Sequence, residues 1–249
     1  MSSPRVLLID IETFPNVGYT WGKYEQNVLH FVREWELASF AWKELGRGKV
    51  QAIARPDFKD GTDATIVKAV RKIVDQADVL IGHNVDRFDS PMLRSKFAQQ
   101  EMPPTNYRTI DTRKIARSQF RFNSNKLDDL ARTLNIGRKM PTGGFDLWLK
   151  CMAGDPTAWR QMVRYNKWDV VLLEKVYQRL RAWYPQHVNF ALYSGEGDKP
   201  ECPICESTKV QRRGYRVMTV RRAARLQCQK CGHWFSRALS RVEKQGGVS

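Results

Sequence analysis

The sequence predicts an α/β fold, a mixed sheet flanked by helices, followed by a small C-terminal module built around four cysteines. Three observations indicate this arrangement. Short runs typical of strands or strand fragments occupy the first 60 residues or so. Helical segments then alternate with strands and dominate up to residue 183, and two CxxC pairs follow. This order of strands and helices is typical of a layered α/β architecture.

The predicted strands are short apolar runs separated by glycine and charged residues. Five of them precede the first helix, so we expect the sheet to be antiparallel at one end. The predicted strands are Arg5–Asp10, Val17–Trp21, Val28–Arg33, Leu37–Trp42, Lys49–Ala54, Asp78–Gly82 and Thr109–Thr112.

Helices are predicted where apolar residues recur at i, i+3, i+4 and i+7. The predicted helices are Thr62–Gln76, Pro91–Gln100, Thr112–Phe120, Lys126–Leu134, Phe145–Met152, Thr157–Tyr165 and Lys167–Trp183. Glycine and proline then interrupt the periodicity. We therefore predict a first domain over residues 1–183, a linker over residues 184–200 and a second domain over residues 201–249.

The charge balance is strongly basic. The 249 residues contain 42 Lys and Arg against 26 Asp and Glu, a formal net charge of +16. Such a charge favours polyanionic partners. No apolar run reaches the roughly 18 residues of a membrane span, and the N-terminus shows no signal-peptide pattern. We expect a cytoplasmic protein that binds nucleic acid and no membrane.

Two carboxylates follow the first strand. Side chains alternate along a strand, so Asp10 and Glu12 share one face while Ile9 and Ile11 take the other. Paired carboxylates at the end of a buried strand repel each other, and a divalent metal would relieve that repulsion. Two solvated acids at a surface strand end are the alternative interpretation, because the DxE pattern is common.

Further acids follow later elements. Asp89 comes between a buried strand and a helix, at the sheet edge where α/β sites form; a helix N-cap is its alternative role. Asp86 is the second choice for the acid of this segment. His83 is interpreted as a structural or substrate-contacting residue. Tyr165 and Asp169 are four residues apart and share one helix face, which alone is equally typical of an ordinary amphipathic helix.

In combination, these segments resemble the DnaQ-like, or DEDD, exonucleases of the ribonuclease H-like superfamily, in their tyrosine subtype. LLIDIET, with Asp10 and Glu12, resembles the first motif; IGHNVDRFD, with Asp89, the second; and VRYNKWDV, with Tyr165 and Asp169, the third. Residues 125–140 resemble the segment these enzymes carry between the second and third motifs. The resemblance extends over about residues 1–183 and implies a ribonuclease H-like fold.

The resemblance also implies a mechanism. Asp10, Glu12, Asp89 and Asp169 would hold two Mg²⁺ or Mn²⁺ ions, with Asp10 between them, and Tyr165 would orient the attacking water. Hard carboxylate oxygens suit these ions. The product would be a nucleoside monophosphate released from a 3′ end. Proteins of this kind are frequent in phage genomes, so a phage source, and with it a host cytoplasm, is also expected.

The cysteines predict a structural zinc site. Cys202 and Cys205 form one CxxC pair, Cys228 and Cys231 the other, and 22 residues separate the pairs. This spacing is typical of a tetrahedral zinc centre with four cysteine ligands and no open position, and the segment resembles zinc ribbons. His233 is a substitute ligand that such a site does not need, and Cys151 is interpreted as a small buried hydrophobe.

The C-terminal module is rich in arginine. Residues 207–242 contain ten Lys or Arg and no acid. With aromatic residues nearby, this pattern indicates a surface that binds phosphates without strong sequence preference. The candidate nucleic-acid-binding residues are Arg212, Arg213, Arg216, Arg221, Arg222 and Arg225.

The sequence therefore predicts a 3′–5′ exonuclease whose ribbon helps to bind substrate, preferably single-stranded DNA. Replication or recombination proteins are its expected partners. Three alternatives stay open: an exonuclease directed at RNA, an endonuclease of the same superfamily, and a catalytically silent adaptor that binds nucleic acid. The intact set of four acids and Tyr165 argues against the adaptor.

Overall fold

The computed structural model describes residues 3–24, 27–57, 62–193, 200–219 and 221–239. They form two compact units. The larger unit holds the described residues between 5 and 117 and between 121 and 177; the smaller holds residues 3–4, residues 118–120 and the described residues from 178 onward. The middle of the predicted linker, 194–199, and the basic tail, 240–249, lie outside the described residues.

A five-stranded mixed sheet forms the centre of the larger unit. Its strand order is β5-β4-β1-β6-β7. The β1–β4 and β4–β5 pairs are antiparallel, whereas β1–β6 and β6–β7 are parallel, so the predicted antiparallel end is confirmed. The strands are β1 (Val6–Phe14), β4 (Glu36–Glu44), β5 (Gln51–Ala54), β6 (Val79–Gly82) and β7 (Arg108–Asp111).

Strand β1 is the central strand, and its sequence explains its position. Both faces of Leu7–Ile9 are buried, which is typical of a strand covered on both sides. The strand continues past the predicted end at Asp10 to Phe14, because Ile11 and Phe14 are also buried. Its register to β4 shifts between Glu12 and Thr13, and such irregularities are frequent beside active sites.

The second and third predicted strands do not join the sheet. Strands β2 (Val17–Tyr19) and β3 (His30–Arg33) follow β1 and precede β4 in the sequence. They pair only with each other, as a separate two-stranded antiparallel sheet. The sequence pattern is correct about strand type here. It could not show the pairing, because both runs are too short to specify a neighbour.

Six α-helices are present among the described residues: α1 (Ala64–Val74), α2 (Asp89–Gln99), α3 (Thr112–Gln119), α4 (Leu127–Thr133), α5 (Asp146–Met152) and α6 (Pro156–Leu180). The prediction of two helices, Thr157–Tyr165 and Lys167–Trp183, is wrong, because α6 is continuous through Asn166. The Asn166 side chain is fully occupied by partners on β1 and β4, so it does not compete for the helix backbone. None of the described helices is both long and apolar enough to cross a membrane.

Two apolar clusters cover the sheet. One packs β1, β4 and β6 against α1 and α2, with Leu7, Ile9, Phe40, Val70 and Leu93 among its members. The other packs Phe14, Ala38 and Ala54 against α5 and α6. The carboxylates of Asp10 and Glu12 therefore lie on a strand that is packed by apolar clusters on both faces.

The smaller unit contains a three-stranded antiparallel sheet of order β10-β9-β8. Its strands are β8 (Val210–Val217), β9 (Arg222–Cys228) and β10 (Trp234–Ala238). Residues 184–193 fold with this unit, since Phe190 is buried and its N–H donates to the carbonyl of Pro203 at 2.7 Å. The sheet and its four grouped cysteines are compatible with a zinc ribbon.

Candidate metal centres

Three of the predicted acids meet in space. Carboxylate oxygens of Asp10, Glu12 and Asp169 all lie within 4.8 Å of one another. Asp10 and Glu12 project from the same face of β1, as the alternation predicts, and Asp169 reaches them from α6, where it is 1% exposed. We call these three residues the acidic cluster.

Asp89 lies beside this cluster. It is the first residue of α2, and its Oδ1 accepts a hydrogen bond from the Ile11 N–H at 3.3 Å. The pairing of β1 with β6 ends at Leu8, so the carboxylate occupies the side of β1 that β6 no longer covers. This contact to β1 differs from the N-cap interpretation, because the capping position of α2 is Phe88.

Asp86 points elsewhere. It is exposed, and its Oδ1 accepts a hydrogen bond from Thr109 Oγ1 at 2.5 Å. His83 is also occupied, with Nδ1 2.9 Å from Thr112 Oγ1 and Nε2 2.9 Å from the carbonyl of Asn125. Both residues therefore have structural contacts outside the acidic cluster.

An asparagine holds Asp10 in place. Asn166 is fully buried on α6; its Nδ2 donates to Asp10 Oδ2 at 2.6 Å and to the Asp10 carbonyl at 3.2 Å. Its Oδ1 accepts a hydrogen bond from Ser39 Oγ at 3.0 Å. Every polar atom of the Asn166 side chain thus has a partner, and the carboxylate orientation is fixed.

A lysine supplies the local positive charge. The Lys139 ammonium donates to Tyr165 Oη at 2.9 Å and to Asp169 Oδ2 at 2.5 Å. Burial lowers the pKa of Lys139, but the nearby carboxylates, Asp169 foremost, outweigh burial and raise it, so the side chain stays cationic. Tyr165 and Asp169 face the same side of α6, as their spacing predicts.

Burial and crowding raise the pKa of all four carboxyl groups. Desolvation is the largest cause in each case. It raises the pKa of Glu12 to about 8 and of Asp89 to about 7, and it raises the pKa of Asp10 and Asp169. The charge of Asp169 raises the pKa of Asp10 and Glu12 further, while Lys139 opposes the shift. Burial also raises the pKa of Tyr165, so its phenol stays neutral.

These residues fit a divalent cation. Asp169 Oδ1 is buried and has no hydrogen-bond partner, and a buried acceptor without a partner is costly. Burial and the mutual repulsion of the four acids oppose their ionisation, and the charge of Lys139 offsets this only in part. Oxygen donors in such a group match the ligand preference of Mg²⁺ and Mn²⁺.

The cysteines of the smaller unit form a second centre. The four Sγ atoms lie within 4.8 Å of one another, with 3.6 Å between Cys202 and Cys231 and between Cys205 and Cys228. Zinc–sulfur bonds of about 2.3 Å in a tetrahedron would place sulfurs about 3.8 Å apart. These distances fit zinc and are far too long for a disulfide.

Two further predicted roles can be compared with the structure. His233 stays outside the cysteine group: its Nδ1 donates to the carbonyl of Ala182 at 2.8 Å, and its ring stacks on Phe235. Cys151 is 2% exposed inside an apolar cluster, and burial raises its pKa to about 11. Its interpretation as a small buried hydrophobe is confirmed.

All six candidate arginines of the smaller unit are exposed on or next to β8 and β9. The guanidinium groups of Arg212 and Arg222 lie 4.7 and 4.8 Å from the ring centroid of Tyr215, and that of Arg225 lies 4.3 Å from Trp234. Cation–π contacts of this kind hold cationic side chains in place without neutralising them.

Sequence reasoning missed Lys139 and Asn166. A signal for Asn166 was available, because it interrupts an apolar helical stripe of Met162, Val170 and Leu173, where a polar side chain has to find a partner. Lys139 gave no such signal. It lies in an irregular segment after α4, and its position depends on how that segment folds back over α6.

The chain belongs to the RNase H superfamily, whose family model matches residues 37–181. The matched range contains Asp89, Lys139, Tyr165 and Asp169 and begins after Asp10 and Glu12.

A solved structure shares the fold. The family B DNA polymerase from the hyperthermophilic archaeon Pyrobaculum calidifontis is similar, with a TM-score of 0.54 and 16% sequence identity. The similarity covers 73% of this chain and 25% of the polymerase chain. This chain therefore spans about a quarter of the polymerase's length, and identity this low shows the fold alone. A comparison with curated proteins gives no match.

Proposed function

We propose that this protein is a metal-dependent 3′–5′ exonuclease that removes nucleoside monophosphates from single-stranded DNA. One observation carries the proposal. A superfamily of nucleases supplies the fold, and on that fold the carboxylates of Asp10, Glu12 and Asp169 lie within 4.8 Å of one another with Tyr165 one helical turn from Asp169.

The acidic cluster together with Asp89 would hold the ions. Two bound Mg²⁺ or Mn²⁺ ions would lower the pKa of a water molecule and stabilise the attacking and leaving oxygens of an in-line displacement. The orphaned Asp169 Oδ1 and the raised carboxyl pKa values support this assignment, because both costs are relieved when cations bind.

The remaining residues orient the reacting groups. Asn166 fixes the Asp10 carboxylate, and Asp89 is fixed by the Ile11 N–H. Tyr165 keeps its proton and is placed to hold the attacking water by a hydrogen bond. Lys139 contacts both Tyr165 and Asp169, so it holds the phenol in position and offsets carboxylate charge. Fixed donors and acceptors of this kind reduce the reorganisation needed during reaction.

The smaller unit would help to bind the nucleic-acid substrate. Zinc bound to the four cysteines would be structural, since all four ligand positions are filled. The exposed arginines around Tyr215 and Trp234 would then contact phosphates. Two binding units on one chain raise the local concentration of substrate at the acidic cluster.

The preference for DNA rests on the structural neighbour, which is named a DNA polymerase. The 3′–5′ direction rests on the resemblance of the three acidic motifs to the DEDD exonucleases. Neither the fold nor the acidic cluster by itself distinguishes DNA from RNA, or a strand end from an internal bond, so the experiment has to separate these cases.

The test uses 5′-labelled linear DNA and RNA, single- and double-stranded, and closed circular single-stranded DNA, each with Mg²⁺, Mn²⁺ or chelator. Asp10→Asn removes an acidic-cluster ligand, and Asp86→Asn is the matched control, because Asp86 is an exposed acid outside the cluster. We expect a metal-dependent ladder that shortens linear DNA from its 3′ end in the wild type and in Asp86→Asn, and none in Asp10→Asn.

The other results have defined meanings. Cleavage of the closed circle would identify an endonuclease, and degradation of RNA alone would reverse the substrate preference. Binding without cleavage of any substrate would defeat the proposal in favour of an adaptor.

A further inference from the structure

Between β1 and β4 in the sequence, the described residues 17–24 and 27–33 carry a concentration of exposed apolar side chains. We call this segment the aromatic hairpin; it contains β2 and β3. Seven large hydrophobic side chains among its described residues are at least 43% exposed: Tyr19, Trp21, Tyr24, Val28, Leu29, Phe31 and Val32. Soluble proteins rarely leave so much apolar surface together unless it binds something.

The base of the hairpin is fixed to the larger unit. Asn16 Oδ1 accepts a hydrogen bond from the Trp35 N–H at 2.8 Å, and the Lys96 ammonium lies 4.4 Å from the centroid of the Trp35 ring. Lys96 is itself buried and paired with Asp63, which accepts the Leu37 N–H. The exposed side chains of β2 and β3 therefore belong to a hairpin with an anchored base.

Close packing within the hairpin also specifies its shape. A Cβ added to Gly18 would lie 2.5 Å from Val28 Cγ1 and 2.8 Å from the carbonyl oxygen of His30, so only glycine fits there. The rings of Tyr19 and His30 stack with centroids 6.5 Å apart and an angle of 15°. This contact holds the Tyr19 ring beside His30.

The hairpin lies next to the acidic cluster along the chain. Tyr24, the last of the exposed rings Tyr19, Trp21 and Tyr24, follows Glu12 by 12 positions, which limits the distance between them to about 43 Å. A stacked strand advances by about 3.4 Å per nucleotide, so a strand ending at the acidic cluster would reach these rings within about 13 nucleotides.

The surface chemistry favours nucleotides. The sequence of the hairpin contains the cations Lys23 and Arg33 and a single acid, Glu25, and the Lys23 ammonium lies 5.4 Å from the centroid of the Tyr24 ring. Aromatic rings beside cations form the usual surface for unpaired bases and their phosphates. Bases in a duplex are already stacked and are not available to such rings.

We propose that the aromatic hairpin binds unpaired nucleotides of a single-stranded nucleic acid by stacking their bases on Tyr19, Trp21 and Tyr24, and so guides the strand to the acidic cluster. The guiding role rests on the proposed nuclease function, whereas the binding itself does not.

The test measures binding of the full chain to a fluorescent 20-nucleotide single strand without added Mg²⁺ or Mn²⁺, so that no cleavage is required. Trp21→Ala/Tyr24→Ala removes two rings of the hairpin. Trp183→Ala/Leu192→Ala is the matched control, because these side chains are 64% and 63% exposed but lie in the smaller unit. We expect the hairpin variant to lose affinity by about tenfold or more, the effect of losing base stacking on one ring, and the control to bind within about twofold of wild type.

A conservative variant excludes misfolding. Trp21→Phe/Tyr24→Phe keeps both rings and should restore most of the affinity, and a 5-iodouracil-containing strand should crosslink to the peptide that spans residues 17–33. If the wild type degrades no substrate but the hairpin variant still loses affinity, the nuclease proposal fails and the binding assignment stands.

Three results would overturn the hairpin proposal. The first is a single-strand affinity that the hairpin variant leaves unchanged. The second is a wild-type protein that does not bind the strand at all. The third is an oligomer that becomes monomeric in the hairpin variant with no change in affinity, which would identify the hairpin as a contact between copies of this chain.

Discussion

The acidic cluster and the cysteine cluster both gather metal-ligand groups, but they are built in opposite ways. The cysteines come from two short pairs next to one small sheet, and their four sulfurs complete a tetrahedron. The carboxylates come from β1 and α6, 157 residues apart at Glu12 and Asp169, and one buried oxygen has no partner. A structural site closes on itself, whereas a site for chemistry keeps ligand positions open.

The side chains around the two clusters also differ: those around the cysteines are apolar, and those around the carboxylates are polar or charged. The cysteines are packed by Ile204 and Phe235, which contribute no charge. The carboxylates contact Asn166, Tyr165 and Lys139, each of which can accept, donate or balance charge. We therefore expect loss of a ligand to damage the fold in the first case and the activity in the second.

The largest effect is expected for Cys228→Ser. Metal binding in small zinc modules contributes on the order of 10 kcal/mol to folding, so this change should release zinc and unfold the β8–β10 sheet. Zinc content and circular dichroism would measure both effects. Cys151→Ser is the control, because that thiol lies outside the cysteine cluster. A folded, zinc-free β8–β10 sheet would contradict the structural role.

The second-largest effect is expected for Glu12→Gln, which should lower activity but raise the stability of the fold. Glu12→Gln should lower the cleavage rate by about three orders of magnitude, because bound metal contributes several kcal/mol of transition-state stabilisation. Without added Mg²⁺ or Mn²⁺ it should stabilise the fold by about 2 kcal/mol at pH 7, because burial raises the pKa of Glu12 to about 8.

The pH dependence follows from the same shift. The folded protein holds the Glu12 proton more tightly than the unfolded chain, so the free energy of unfolding falls as pH rises from about 4.5 to about 8. Glu12→Gln should flatten this part of the profile, and Glu44→Gln, at a half-exposed side chain outside the acidic cluster, should not. Equal slopes for wild type and Glu12→Gln would remove Glu12 from the coupled carboxylates.

Lys139→Ala is expected to lower the free energy of unfolding by about 2 kcal/mol. Removing one partner of a buried ion pair costs several kcal/mol, reduced here because the lysine side chain is 32% exposed. Thermal unfolding without and with added Mg²⁺ would measure it. The loss should be smaller in Mg²⁺, since the cation replaces the missing charge; the same loss in both buffers would show that Lys139 only packs.

The smallest effect is expected for Arg212→Ala/Arg222→Ala. Each lost phosphate contact should reduce the salt dependence of single-strand binding by about 0.7 in log–log slope, with a modest loss of affinity. Arg47→Ala/Lys72→Ala makes the same charge change on the larger unit and serves as control. A salt slope equal to that of wild type would show that the arginines around Tyr215 do not contact phosphate.

Much of the architecture could be predicted because it depends on local patterns. The alternation along β1 places Asp10 and Glu12 on one face, and the CxxC spacing predicts the cysteine group, both without knowledge of distant contacts. The continuity of α6 could not be predicted, because the residue that suggested a break, Asn166, is satisfied by Asp10 and Ser39 far away in sequence.

The same distinction applies to the site. Its acids could be chosen by motif, but the role of Lys139 depends on a contact across 30 residues to Asp169. The hairpin of β2 and β3 shows a different limit. Its sequence predicted strands or strand fragments but gave no sign of their exposure: Phe31 and Val32 are exposed, because no neighbouring strand or helix among the described residues covers them.

The central position of β1 has a consequence for how activity responds to heat. A strand paired on both sides and buried on both faces opens only when the whole larger unit opens, so its amides should exchange with deuterium as slowly as any in the chain. Asp10 and Glu12 belong to that strand. The fraction of nuclease activity left during heating should therefore follow the global melting curve, and catalysis itself becomes a measure of how much protein is folded.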